Sequence, residues 1–495
     1  MNIITAQTGP FIFGGLMGLA IMIGVILRKT VPFVRKLMVP ASVTGGMVGL
    51  AIITYCINNG IFEASIQDDF TNIAWHFLSL IYIGIILNGT NLKGKYKKKL
   101  TKEEKAAAKA EKKLNKGKKK VKKDSANLGG LWLALVFGGI QSVLIVFSGV
   151  TALLLNKTNP DFNPFYAMLG AHGFANGPTV TLSYGMLWFK QASDVLVDLL
   201  PVGMCFATIG YIAAIFVGVP LGKYFIRKKM NDIPLVGTTK EMEEGLFSPD
   251  SDLNIGRQTT HRSNLDTLSF HVGLIFAIYL ITYLWVGKLF GLEGGLFSMI
   301  FVCCILTAMV VKALLQKTKF DYLVDDGMVT SWTNFCEDMV IVSCIMGIQM
   351  SVVMKYIIPI IIVAVVMTLV SLVYCWWLAR QAGEKHSVER FMFSYGNATG
   401  TTQTGLLLLR LVDPESQSQT AKEMTYYSIY FMITPSIILG MLVSAYVWGA
   451  PKWILINVVA SIIFTVLCLI VGKDLRKRSE ATEDKAVDAE VSAAE

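Results

Sequence analysis

The chain has 495 residues, 53% hydrophobic and only 16% charged, with a formal net charge of +10. Soluble domains carry about 25% charged residues, so a soluble enzyme or binding module is excluded and an all-α integral membrane protein is expected. The positive excess is local: residues 93–124 hold 16 Lys against four acids, or +12, and with Tyr96 as their one aromatic they give nucleic acid no stacking platform.

Apolar windows of ~20 residues, enough to cross ~30 Å of hydrocarbon, follow one another at about 11–28, 39–57, 71–91, 129–155 and 194–222. They resume at about 268–290, 296–315, 330–350, 355–379, 424–447 and 452–472. This order predicts about 11 transmembrane helices. The first residues, "MNIITAQTGP", lack a basic leader, so the first window is read as a retained span. The eight cysteines fall in or near spans as small apolar packing residues.

Two segments outside these windows resemble each other. "HGFANGPTVT" (172–181) and "YGNATGTTQT" (395–404) align without a gap and share Gly173/Gly396, Ala175/Ala398, Gly177/Gly400, Thr179/Thr402 and Thr181/Thr404. Lysine and arginine gather on the cytoplasmic side of membranes. Arg28, Lys29, Arg35 and Lys36 after the first span put the N-terminus outside, and acidic, base-free 58–70 agrees. If 165–190 and 387–411 each crossed the membrane, Lys223 to Lys229 and the final Lys473 to Arg478 would lie outside. Both segments are therefore expected to be re-entrant hairpins, the first from outside and the second from the cytoplasm, which leaves the C-terminus cytoplasmic.

The hairpins lie 223 residues apart, as do, roughly, the spans before them, while the first three spans match the later set at about 258. The Lys-rich insert accounts for the difference. Without it the chain is two inverted-topology repeats, a transporter architecture. The boundaries expected are 1–92 (spans 1–3), 93–128 (Lys-rich cytoplasmic insert), 129–229 (span 4, hairpin 1, span 5), 230–266 (linker), 267–447 (spans 6–10 with hairpin 2) and 448–495 (span 11 and an acidic, disordered tail). The insert is expected to be a solvated loop that touches anionic lipid of the bilayer.

Broken helices survive at membrane depth only where protein or a wet cavity satisfies the backbone. Tips meeting near the midplane would offer N–H groups to an anion and carbonyls to a cation, with Asn and Thr as neutral ligands. A membrane-embedded hydrolase would need an activated nucleophile, and the segments carry none, so no enzyme is expected; His172 reads as a hydrogen-bonding tip residue. The span centres are almost free of ionisable groups, which favours Na⁺ over a proton-coupled or exchange carrier for another carboxylate. Arg410 would pair either with a substrate carboxylate or with Asp413.

At "MVPASVTGGMVGL" (38–50), "LSLIYIGIILNG" (78–89), "MLGAHGFANGPTVT" (168–181), "GMCFATIGYIAAIFVGVPLGKYFI" (203–226) and "FSYGNATGTTQTGLLLLRLVDP" (393–414) the chain resembles the bacterial sodium/glutamate symporter family. The resemblance implies a homodimer in the bacterial inner membrane, with a mobile domain carrying both hairpins elevator-fashion past a scaffold. It implies glutamate, or a similar small acidic solute, moved with Na⁺. Carried over, the substrate site would include His172, Gly173, Asn176, Gly177, Thr179, Asn397, Gly400, Thr401, Thr402 and Arg410, and the Na⁺ ligands Asn176, Asn397, Thr401 and Thr404. Ala171 departs from the family pattern, which often has a second glycine there, and the second tip lacks a common proline.

Overall fold

Among the described residues of this computed structural model (9–90, 116–232, 240–247, 255–291, 300–414, 416–431 and 445–494) every regular element is a helix. Nine of these helices are long and apolar enough to cross a membrane, so the protein is a multi-pass all-α membrane protein. The expected eighth window lies in a helix at Asp326–Met346, which falls short of that apolarity because Asn334, Glu337 and Asp338 interrupt it. The expected tenth window lies partly outside the described residues, between helices ending at Phe431 and beginning at Ala445.

The chain divides into two units, each drawing on both halves of the sequence. The first holds α1 (Gly9–Thr30), α3 (Ala41–Asn58), α4 (Ile66–Leu87), α10 (Thr267–Phe290), α11 (Ile300–Lys317) and α12 (Asp326–Met346); the short α2 (Pro32–Lys36) leads from α1 toward α3. Its core joins Phe13, Met17 and Ala20 of α1, Ile53 of α3, Ile66 and Phe70 of α4, and Val342 and Met346 of α12. Phe13 meets Phe70 edge-on with ring centroids 5.0 Å apart. Apolar side chains also face outward, such as Phe11, Leu19, Leu284 and Leu306, a surface suited to lipid. At the foot of α12, His271 Nδ1 donates to the Thr267 carbonyl at 2.7 Å while Nε2 accepts the Asp325 N–H at 2.8 Å. A carbonyl only accepts and an N–H only donates, so the two contacts fix which ring nitrogen faces each partner.

Helices α1 and α3 cross at glycine. A Cβ on Gly45 would strike the backbone carbonyl of Ala20, and one on Gly24 that of Ala41. Gly45→Ala is expected to force the helices apart at a cost of about 1–3 kcal/mol. Thermal unfolding in detergent measures this against Gly18→Ala, where a Cβ meets nothing within 4 Å; an unchanged transition in Gly45→Ala would reject the close crossing.

The second unit holds α5 (Lys116–Asn156), α6 (Pro164–Gln191), α7 (Leu199–Ala213), a π turn (Ala214–Gly218), α8 (Val219–Arg227), α14 (Ile357–Gln381), α15 (Ser387–Ala398), α16 (Thr402–Val412), α17 (Gln419–Phe431) and α19 (Ala450–Ala494). Three short helices complete the chain: α9 (Lys240–Glu244), α13 (Met350–Lys355) and α18 (Ala445–Trp448). In the windows of α5 and α7–α8, 72% of residues are buried against 17% for α19, so the first two form the centre of the unit and α19 its apolar rim. At one corner Asp198 Oδ2 accepts from Tyr356 Oη at 2.9 Å and from Lys355 Nζ at 3.2 Å. The Tyr356 hydroxyl and the Asp198 carboxylate hold the Lys355 ammonium above its ordinary range.

Two expectations change here. The acidic tail continues α19 to Ala494 instead of being disordered, because its Ala, Glu and Lys residues are strong helix formers. The Lys-rich insert is described only from Lys116, where it begins α5; the rest of it lies outside the described residues.

Candidate functional site

Helix α6 is two helices joined at a break. Gly177 has φ 73° and ψ −171°, a left-handed conformation that suits glycine, and Pro178 follows with no N–H to continue the ladder. The chain then turns back on itself. Phe165 meets Trp188 at 6.3 Å and His172 meets Tyr184 at 4.7 Å between ring centroids. Gly185 packs on Leu169 and Gly173 on Thr181. Each of these pairs is centred on or beside Gly177, the geometry of a hairpin.

The second hairpin is α15 and α16, joined through Thr399, Gly400 and Thr401. Gly396 faces the Thr404 carbonyl and Gly405 the Phe393 carbonyl, each 2.8 Å from a built Cβ. The pair 396/404 occupies the aligned positions of 173/181, so the two sequences make the same cross-hairpin contact. At the start of α16 the Thr401 N–H donates to Thr404 Oγ1 at 3.3 Å, satisfying one of the donors that a helix start leaves unpaired. Asn397 is held at both ends: Nδ2 donates to Tyr427 Oη at 2.8 Å, and Oδ1 accepts from Thr402 Oγ1 at 3.2 Å.

The two tips meet. A Cβ on Gly177 would lie 2.7 Å from the Thr401 methyl and 2.9 Å from Tyr211 Oη. On α7, a Cβ on Gly210 would lie 2.6 Å from the Phe174 carbonyl oxygen and 2.9 Å from that of Thr399. One carbonyl therefore comes from each hairpin, both from the last turn of an arm that ends at the tip. Such carbonyls lack intrahelical partners and carry the negative end of the helix dipole. The opposite arms begin at the tip, so their first N–H groups present the positive end. Above and below this point, Gly203 packs on Leu169 and Thr181 of the first hairpin, and Gly218 and Gly222 pack on Leu408 and Leu411 of the second. The π turn also leaves the Ala213 carbonyl to accept from Tyr395 Oη at 3.2 Å.

Of the residues singled out from sequence, Gly177 and Thr401 meet directly, and Asn176, Thr179, Gly400 and Thr402 flank them. Asn176 Nδ2 donates to the His172 carbonyl at 3.0 Å, stopping the first arm. His172 is not a hydrogen-bonding tip residue. It lies one turn down its arm, 2% exposed, edge-on to Tyr184 and Trp188, and neither ring nitrogen has a protein partner. Arg410 is exposed and ~12 Å along α16 from the tip, at 1.5 Å per residue. Asp413 accepts instead from the N–H groups of Gln417 and Ser418, each at 2.9 Å.

Sequence reasoning missed Gly210, Tyr211 and Tyr427, and it missed one ion pair. Arg390 donates from Nη2 and Nε to Glu423 Oε1 and Oε2 at 2.7 and 3.1 Å, and from Nη1 to the Ala382 carbonyl at 3.1 Å. Arg390 is 3% exposed and Glu423 0%. "TIGY" (208–211) offered the one usable signal, a glycine beside a tyrosine inside an apolar span.

No curated protein matches the chain. The family model described as the sodium/glutamate symporter matches residues 132–390, more than half of the sequence. The match takes in α5 from Trp132 on, the whole first hairpin and the helices from α7 to α14, and ends at the foot of the second hairpin, on Arg390. With its fold that of a multi-pass helical membrane protein, the chain belongs to the sodium/glutamate symporter family.

Proposed function

We propose that the protein is a secondary carrier that symports glutamate, or a similar small acidic solute, with Na⁺ across the bacterial cell membrane. The solute binds where the two hairpin tips meet. The observation that carries this reading is the convergence of both tips on Gly210, with two helix C-termini and two helix N-termini at one point. The carbonyls of Phe174 and Thr399 suit a cation with no titrating ligand, and the N–H groups at 179–180 and 402–403 suit a carboxylate. The unpartnered ring of His172 adds a polar group to the first arm. Asn397 acts by fixing the second tip, while Asn176 closes the first. Arg410, far along its arm, is left out of the site.

The grouping of the chain supports an elevator. Spans 1–3 and 6–8 fall in one unit; spans 4, 5 and 9 and both hairpins fall in the other. That is the division expected if inverted repeats supplied matching parts to a scaffold and to a mobile domain. The homodimer and the re-entrant insertion from opposite faces rest on the resemblance and on the charge pattern.

Uptake of labelled L-glutamate into proteoliposomes tests the reading, with and without an inward Na⁺ gradient at fixed membrane potential. Accumulation that needs the gradient is expected. Asn397→Ala removes both side-chain hydrogen bonds that hold the second tip, to Tyr427 and to Thr402, at about 1 kcal/mol each, so a roughly tenfold fall in uptake is expected, with a smaller fall for Asn176→Ala. Wild-type rates in both variants would remove the tips from the mechanism; folded protein without glutamate uptake would remove the substrate.

A further inference from the structure

Away from the tips, three chemically capable side chains converge where the second hairpin leaves α14. His386 is the N-cap of α15 and holds φ 64°, a left-handed conformation that costs a non-glycine residue energy and persists only where its surroundings fix it. Asp232 comes from the stretch after α8, and Glu389 lies one turn into α15 with 0% exposure. The backbone N–H of His386 donates to Asp232 Oδ2 at 2.8 Å, and that of Asp232 donates to Glu389 Oε1 at 2.9 Å. His386 Nδ1 also lies against Asp232 Oδ2. One ligand atom from each residue falls within 4.8 Å of the other two.

A plain His386–Asp232 ion pair accounts for only part of this. Glu389 Oε2 is buried without a partner, and a buried carboxylate oxygen left unsatisfied is expensive. A cation shared among the three groups would satisfy it. The donor set is one imidazole nitrogen and two carboxylate oxygens. Mg²⁺ and Ca²⁺ take oxygen alone, whereas imidazole beside carboxylate suits zinc, which takes three protein ligands and leaves a fourth position open to water. The two hydrogen bonds from backbone N–H to carboxylate hold the three residues together before any metal arrives, which lowers the ordering cost of binding.

We propose that Asp232, His386 and Glu389 form a zinc site at the foot of the second hairpin. The ion ties the segment following α8, whose Gly222 packs on α16, to the first turn of α15. It thereby braces the hairpin at the end opposite its tip. The site is separate from the coupling ion at the tips, and its occupancy does not depend on glutamate.

Isothermal titration of the full-length protein in detergent tests the site, using Zn²⁺ alone after chelator treatment and removal of any purification tag. Metal content measured after gel filtration provides a second readout. Saturation at one equivalent per chain is expected. Asp232→Asn and His386→Gln should each weaken binding by at least ~100-fold, the upper end of what losing even an outer-shell partner costs. His261→Gln, in an exposed loop, should bind as wild type. Asp232 is itself exposed, so its variant carries the test if the His386 variant fails to fold. Folded wild type that takes up no zinc overturns the proposal, as does zinc binding that survives both substitutions.

Discussion

Sodium-driven glutamate uptake is expected to fall about ten- to hundredfold when Gly177 is replaced by alanine. The residue sits at φ 73° with a Thr401 carbon and the Tyr211 hydroxyl where a Cβ would go, at 2.7 and 2.9 Å. Holding an L-residue in that conformation costs about 1–3 kcal/mol, and the added methyl also has to push aside a side chain of the second tip and one of α7. Gly60→Ala is the matched control: its φ is 70°, yet a Cβ there meets nothing within 4 Å. It shares the positive φ without the crowding and should transport close to wild type. Equal losses in the two variants would mean that backbone strain alone, and not the meeting of the tips, governs uptake.

The largest effect on stability is expected at Arg390 and Glu423. Each is buried, and their bidentate contact lies beside Trp132, whose ring centroid is 5.8 Å from the guanidinium carbon. Gly129 leaves room for the Glu423 carboxyl, since a Cβ there would strike it. Glu423→Gln or Arg390→Met removes one charge and strands the other, at about 3–5 kcal/mol. The double variant Arg390→Met/Glu423→Leu strands no charge and should recover most of that loss, because apolar replacement of a buried pair is often neutral. A double-mutant cycle on denaturant unfolding in detergent reads the coupling. Additive losses would show that the two side chains act independently.

Much of this fold is legible in the sequence, for reasons that differ by element. The spanning helices announce themselves because lipid demands long apolar runs. The hairpins do so because small residues interrupt that apolarity twice, in the same order, and both turns fall on the paired glycines Gly177 and Gly400. The local cap in "TTQT" could also be read, since Thr401 and Thr404 are three residues apart. What was hidden is long-range. Tyr427 reaches Asn397 from a different helix, and Arg390 finds Glu423 across 33 residues. No periodicity encodes which helix another will face. Nothing in the sequence marks Arg390 and Glu423 as partners, because a one-dimensional pattern cannot distinguish a charge at a helix end in water from one paired inside. Arg410 is the opposite case, a cation near the motif in sequence that stands two turns along α16 from the tip.

The π turn at Ala214–Gly218 sets an angular register. In an unbroken α-helix, eight residues carry a side chain ~80° past its starting face, so Gly218 would point away from the line of Gly203 and Gly210. A π turn absorbs one residue, and the remaining seven bring Gly218 back to within ~20° of Gly210. Four residues on, Gly222 falls in line again. The helix thus keeps one track of small residues along its length. The first hairpin lies against one end, the second against the other, and both backbones touch it at the middle.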